Sequence, residues 1–256
     1  MSIADTLEVV IEPKKNDIFG DGQRLETTRV QPSDIFKTND SLYVLNQKNT
    51  ADGLQLLGSV NNNVVATTFF DPQYRGVMDK LSYGNEGSRQ IKRAALAQMP
   101  EDIIINFIQE ISRTLRPSGH LFLWVDKFHL CEGITHWLKD TQLETVDLII
   151  WKKMTFGMGY RSRRTSEYCI ILQKTPKRAK GVWTIRNIPD VWDEKIIGKT
   201  HPHQKPIELQ KRLIEATSSP QDLIIDPASG SYSVLSACNT LNRQFLGCDL
   251  SADPAL

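Results

Sequence analysis

Short β-rich runs alternate with helix-period segments along most of this chain, and two of those runs stop at an Asp-Pro pair. "NNVVATTFF" leads into Asp71-Pro72, and "DLIID" ends at Asp226 before Pro227. Parallel strands need a long crossover and a helix is the usual one, so the alternation predicts an α/β fold with a largely parallel sheet flanked by helices. Further strands are expected over "DSLYVLNQ", "HLFLWVD", "VDLIIWKK", "EYCIILQK" and "QFLGCDL". Helices are expected over "TADGLQLLGSV" with Thr50 as N-cap, and over "EDIIINFIQEISRTLRPSG" as far as Pro117-Ser118-Gly119. Others are expected over "CEGITHWLKDT", over "PIELQKRLIEATS" with Pro206 in its first turn, and after the small-residue turn of "PASGSYSVLSACNTLN". Residues 1–40 are polar and weakly periodic, an expected N-terminal arm ahead of one domain over 41–256. The polar, glycine-containing stretch 75–99 is expected to be a mobile loop.

Composition excludes several classes. No apolar run approaches the ~20 residues that span a bilayer, and the N-terminus lacks a basic region followed by an apolar one, so no secretory signal or membrane partner is expected and the chain should be cytoplasmic. Cys131, Cys169, Cys238 and Cys248 show no CxxC spacing, which argues against a zinc ribbon or disulfide framework and makes each a small buried hydrophobe. His201 and His203 have no third ligand nearby, so no metal is expected. Trp124, Trp137 and Trp151 lie in predicted strands or helices and belong in a core; for Trp183 and Trp192 core packing is favoured over base stacking. Residues 152–180 hold nine basic side chains against one acid, Glu167, on a chain of net charge +1. That asymmetry suggests a polyanionic partner held on one face, with a solvated loop as the neutral reading.

The two Asp-Pro strand ends suggest chemistry. Open α/β sheets bind ligands beyond the carboxyl ends of their strands. After "LIID" comes a turn containing Gly230, and "FLGCDL" puts Asp249 at the end of the following strand, placed to accept hydrogen bonds from ribose hydroxyls. The turn lacks a full GxGxxG, which counts against a dinucleotide. Alone, "DPQY" at 71–74 is an ordinary turn. Its residues nevertheless suit a planar substrate with an exocyclic amine. The Asp71 carboxylate and Pro72 carbonyl would accept the two amino hydrogens, and Tyr74 would stack on the ring, so catalysis would work by positioning and electrostatics. A base inside a duplex would first have to leave the stack.

Taken with "HPHQKP" at 201–206 and "DPASGS" at 226–231, these residues resemble the circularly permuted β-class of S-adenosylmethionine-dependent DNA amino-methyltransferases. There a (D/N/S)PP(Y/F/W) motif precedes the cofactor motif in the chain, with HPTQKP just upstream of the latter. The resemblance covers roughly residues 43–250 and includes "LRPSGHLFLW", "IIWKK" and "RRTSEYCIILQK". It implies a Rossmann-like methyltransferase fold, S-adenosylmethionine as cofactor and double-stranded DNA as partner, with room for a homodimer and a cognate restriction endonuclease, in a bacterial or phage setting. It implies Asp71, Pro72 and Tyr74 as catalytic. It implies Phe70, Asp71, His203, Gln204, Lys205, Asp226, Pro227, Ala228, Gly230 and Asp249 around the cofactor, with Gln204 and Lys205 at its methionine end. Residues 152–200 become a small target-recognition region, and Arg89, Arg93, Tyr160, Arg161, Arg163 and Arg164 the DNA contacts. Asp at the first motif position tilts the target toward adenine-N6 over cytosine-N4.

The chain departs from the pattern at three places. Gln73 replaces a second proline, Tyr232 a glycine, crowding the turn, and His203 a threonine or serine. These motivate a rival, a degenerate subunit that binds nucleic acid. Another, a protein glutamine methyltransferase, normally has the opposite motif order and Asn at the first motif position. "NTADG" only approximates a GD element of the family, and Asp52 is given no role.

Overall fold

The computed structural model describes residues 31–38, 41–73, 99–157, 162–197 and 204–250. Eight strands form one sheet: β1 (Asn49–Thr50), β2 (Val65–Phe70), β3 (Leu115–Val125), β4 (Leu143–Lys152), β5 (Ser166–Lys174), β6 (Val191–Asp193), β7 (Leu223–Asp226) and β8 (Gln244–Asp249). Their order is β1-β8-β7-β2-β3-β5-β4-β6. All neighbours are parallel except β3 with β5 and β4 with β5. The edge strands β1 and β6 have only two and three residues, which leaves little open ladder for another chain to pair with.

Side chains alternate between two cores as the period of two requires. Leu121, Leu123 and Val125 of β3 face one core; Phe122 and Trp124 face the other. The first is covered by α1 (Gly53–Ser59) and α2 (Glu101–Thr114), which buries Ile104, Phe107, Ile108 and Ile111 at helical spacing. The second is covered by α4 (Ile207–Thr217) and α5 (Ser233–Leu241). The short α3 (Lys127–Glu132) follows β3, capped by the Asp126 carboxylate. Trp124, Trp137 and Trp151 are buried as expected, and Trp183 and Trp192 pack against the second core. At the end of the stretch expected to be an arm, Ile35 is buried and Phe36 bridges to Val60.

Five local expectations are corrected. The described part of "DSLYVLNQ", residues 41–47, forms no strand; the Asn49 carboxamide instead accepts from the Val44 amide and donates to the Val44 and Gly247 carbonyls, holding a loop. The N-cap of α1 is Asp52 rather than Thr50, its Oδ1 accepting from the amides of Leu54 and Gln55. The helix expected over 131–141 is divided at Gly133, whose φ of 81° closes α3 before a single 3-10 turn at Thr135–Leu138. The helix expected to reach Pro117 stops at Thr114 and β3 starts directly at Leu115, since proline biases Arg116 toward extended backbone. Cys131 is also exposed, unlike the three other cysteines. Among the described residues no helix is long and apolar enough to cross a membrane.

Candidate active site

Strands β8, β7 and β2 are adjacent and parallel, so the acids at their ends emerge on one side of the sheet. Asp71 follows β2, Asp226 ends β7 and Asp249 ends β8. The turn after β7 is fastened to β8: the Gly230 amide donates to Asp249 Oδ2 at 3.0 Å and the Ser229 amide to the Cys248 carbonyl at 2.9 Å. Packing there is close. A Cβ on Gly247 would lie 2.5 Å from Ser229 Oγ and 2.6 Å from the Asp226 carbonyl, and one on Gly53 only 2.2 Å from the Pro227 carbonyl. Burial, with the Asp71 and Asp249 carboxylates behind it, pushes Asp226 up to about 8 against the pull of the Ala228 amide and Lys205. A small-residue turn facing three carboxylates suits a cationic ligand that also offers hydroxyl donors.

Asp71 is the end of a chain of charges. Lys205 Nζ lies 2.7 Å from Asp71 Oδ2 and 2.9 Å from Glu167 Oε2. Glu167 Oε1 in turn is 3.1 Å from Lys153 Nζ. Because β5 runs against its neighbours, its first residues, Glu167 among them, stand at the end of the sheet where β3 and β4 finish. Lys205 is also 5.1 Å from the centre of the buried Trp124 ring, a favourable place for a cation. Burial raises the Asp71 carboxyl, helped by Glu167 and opposed by Lys205. Burial alone would raise Glu167 as well, but Lys205 and Lys153 outweigh it and hold that carboxyl at about 2. Burial works against the Lys205 ammonium, and the two carboxylates reverse that and raise it.

The structure thus brings together Asp71, Pro72, Gln204, Lys205, Asp226, Pro227, Ala228, Gly230 and Asp249. The Phe70 ring is fully buried and stacks on Phe107 at 4.9 Å. Lys205, expected at the methionine end of a cofactor, has its ammonium committed to Asp71 and Glu167. Arg163 is exposed, and Arg164 is half-buried, its Nη2 without a hydrogen-bond partner among the described residues. Tyr74, Arg89, Arg93, Tyr160, Arg161 and His203 lie outside the described residues. The basic segment is less free than its composition suggested. Lys152 pairs with Asp193, Lys153 with Glu167 and Lys177 with Glu144. Lys174 is buried on the Asn63 side chain and the Leu115 carbonyl.

Tyr232 adopts the left-handed conformation that glycine would accept more easily, with φ 56° and ψ 33°. Its ring is 5% exposed and packs in the second core edge-on to Phe245, and its hydroxyl donates to the Asn49 carbonyl at 2.8 Å. The Gly230 tie to Asp249 is intact beside it.

A family model described as DNA methylase matches residues 65–253, from β2 to the end of β8 and beyond. The chain belongs to this family. The type II methyltransferase M.HhaII of Haemophilus parahaemolyticus is 55% identical over 84% of this chain and 96% of its own length. Among solved structures, the PvuII DNA methyltransferase (cytosine-N4-specific) superposes with a TM-score of 0.63 at 14% identity, covering 82% of this chain and 83% of that one. The M1.HpyAVI–SAM complex does so with 0.57 at 18% identity, over 82% and 97%. The fold is the Rossmann-like methyltransferase fold, and the chain is an S-adenosylmethionine-dependent DNA amino-methyltransferase, for adenine-N6 or cytosine-N4. This membership displaces the glutamine-methyltransferase rival. The residues present fit the cofactor: its positive charges match a cleft in which three carboxyl groups converge and burial, with Asp71 and Asp249 nearby, drives Asp226 toward its neutral form.

Glu167, which shares Lys205 with Asp71, had no role in the sequence reading, where its signal was its isolation as the single acid in a basic stretch.

Proposed function

We propose that the protein methylates the N6 amine of an adenine flipped out of duplex DNA, with cytosine-N4 as the alternative target. The observation that carries the reading is the placement of Asp71, whose Oδ2 is taken by Lys205 at the end of the sheet where Asp226 and Asp249 also emerge. Bound S-adenosylmethionine would supply an electrophilic methyl group. Asp71 Oδ1 and the Pro72 carbonyl would accept the amino hydrogens, making the nitrogen lone pair available, and Tyr74 would hold the ring. Asp249 would accept from the cofactor ribose, and Asp226 and the Gly230 turn would line its charged end with Gln204 and His203. Asp at position 71 favours adenine.

Residues 152–200 would serve as the target-recognition region, with Arg163, Arg164, Arg161 and Tyr160 on the duplex and Arg89 and Arg93 adding backbone contacts. Similarity to a type II methyltransferase supports a short recognition sequence, shared with a cognate endonuclease. The catalytic reading is preferred to a degenerate subunit because Tyr232 puts its ring into the core. Wild-type protein should transfer labelled methyl groups to DNA. Asp71→Ala should not, while binding S-adenosylmethionine within a few-fold of wild type; full turnover by that variant would remove Asp71 from the mechanism.

A further inference from the structure

Glu167 was assigned no role in any segment discussed above, yet it shares a lysine with the acid of the "DPQY" segment. Three elements supply the arrangement: Asp71 from the end of β2, Glu167 from the start of β5, and Lys205 from the segment entering α4. Lys205 Nζ is 2.7 Å from the first carboxylate and 2.9 Å from the second. The position of Glu167 is fixed by its strand, paired opposite Trp151, and by Lys153 at 3.1 Å on its other oxygen. Lys205 is fixed from a further direction by Trp124. Two anions and two cations therefore form one balanced row that ends on Asp71.

We propose that Glu167 is a positioning residue for methyl transfer: by sharing Lys205 it keeps the Asp71 carboxylate from collapsing into an exclusive ion pair and leaves it available to the target amine. The inference rests on the functional reading above. The amine nitrogen bonds to the methyl carbon as the carbon–sulfur bond breaks, its electron pair going to sulfur. The nitrogen gains a positive charge and then loses a proton to water. An Asp71 neutralised by its own private lysine would accept the amino hydrogens weakly and oppose that charge little. With Glu167 in place, Lys205 divides its attraction between two carboxylates. The groups that face Asp71 are Lys205 ahead of α4, Glu167 and Cys169 on β5, and Asp226 on β7.

The bland alternative is a salt-bridge network that only stabilises the fold, and Glu167→Gln separates the two. Carboxyl carbon NMR of the protein alone, with the Asp71 signal assigned by Asp71→Asn, reads the acid without cofactor or turnover. In Glu167→Gln the Asp71 carboxyl should titrate at lower pH than in wild type, since a neighbouring negative charge is gone. The acid limb of kcat should move the same way, while kcat at its plateau falls by about tenfold to a hundredfold and the affinities for S-adenosylmethionine and DNA stay near wild type. Glu167→Asp keeps the charge on a shorter arm and should recover part of the loss, and it carries the test if the glutamine variant does not fold. A titration and acid limb that coincide with wild type in the variant that folds would overturn the proposal, whatever its melting temperature. If wild-type protein methylated no DNA, the functional reading would fail, and the Asp71 titration would still decide the role of Glu167.

Discussion

The ammonium of Lys205 lies 2.7 Å from the carboxylate of Asp71, although the two come from opposite halves of the chain. That contact closes the space between the end of β2 and the segment leading into α4. It makes the "DPQY" and "HPHQKP" segments parts of one site, a relation that no local pattern in either segment contains. It also means that Lys205 supports the acid directly.

Lys205→Met should therefore harm stability as well as activity. It leaves Asp71 and Glu167 facing each other without their common cation, and breaking a buried pair from one side typically costs about 3 kcal/mol. Urea unfolding should show a loss of that order at neutral pH. Much of it should disappear at acidic pH, as Asp71 becomes protonated.

Asp226 gives a pH dependence of opposite sense to that of Glu167. Its folded value, about 8, is above its ordinary value of 3.8. The folded protein then holds a proton that the unfolded chain has released, so this contribution is present below about pH 4 and is lost as pH rises toward 8. Asp226→Asn should be more stable than wild type, relative to their difference at pH 4, when compared at pH 8 by thermal unfolding. Glu167, held at about 2 against an ordinary 4.5, contributes stability above pH 4.5 that is lost as pH falls toward 2. A cationic cofactor should draw the Asp226 proton off, so calorimetry in buffers of different ionisation enthalpy should detect proton release on S-adenosylmethionine binding at pH 7.

Tyr232 sets two effects against each other. The left-handed backbone costs a tyrosine roughly 1–2 kcal/mol that glycine would not pay. Deleting a buried aromatic ring costs about 3–5 kcal/mol. Packing wins, so Tyr232→Gly should be destabilised by about 1–4 kcal/mol. Tyr232→Phe loses only the hydroxyl bond to Asn49 and should fall by about 1 kcal/mol. Denaturant midpoints of both variants check the order.

Among the described residues Arg163 and Arg164 have no acid partner, in a segment where Lys152, Lys153 and Lys177 are spoken for. Replacing both by alanine should weaken DNA binding. If each neutralises one phosphate, the slope of log K against log salt should shrink by about 2. An unchanged slope would take both off the phosphate backbone.

Much of the site was legible because strand ends are. An apolar run that stops at Asp-Pro announces both a strand and a polar side chain at its carboxyl end, and the cleft follows from parallel neighbours. Helix α2 was legible from its Ile104, Phe107, Ile108 and Ile111 stripe. Pairings across the sheet were not. Glu167 owes its position to the reversed direction of β5, which no window of sequence encodes. The acids that neutralise the basic segment, Asp193 and Glu144, come from β6 and β4 and fall outside the window that made it look basic. "DSLYVLNQ" has the composition of a strand, but the Val44 amide and carbonyl bond to the Asn49 side chain in place of a ladder. In 131–141 the helical pattern gave way to one glycine.

Mass spectrometry of nucleosides from DNA incubated with the protein and methyl-labelled S-adenosylmethionine tests the central claim most directly. Wild-type protein should yield labelled N6-methyladenine, and Asp71→Ala none. Label in N4-methylcytosine, or in no base at all, would contradict it.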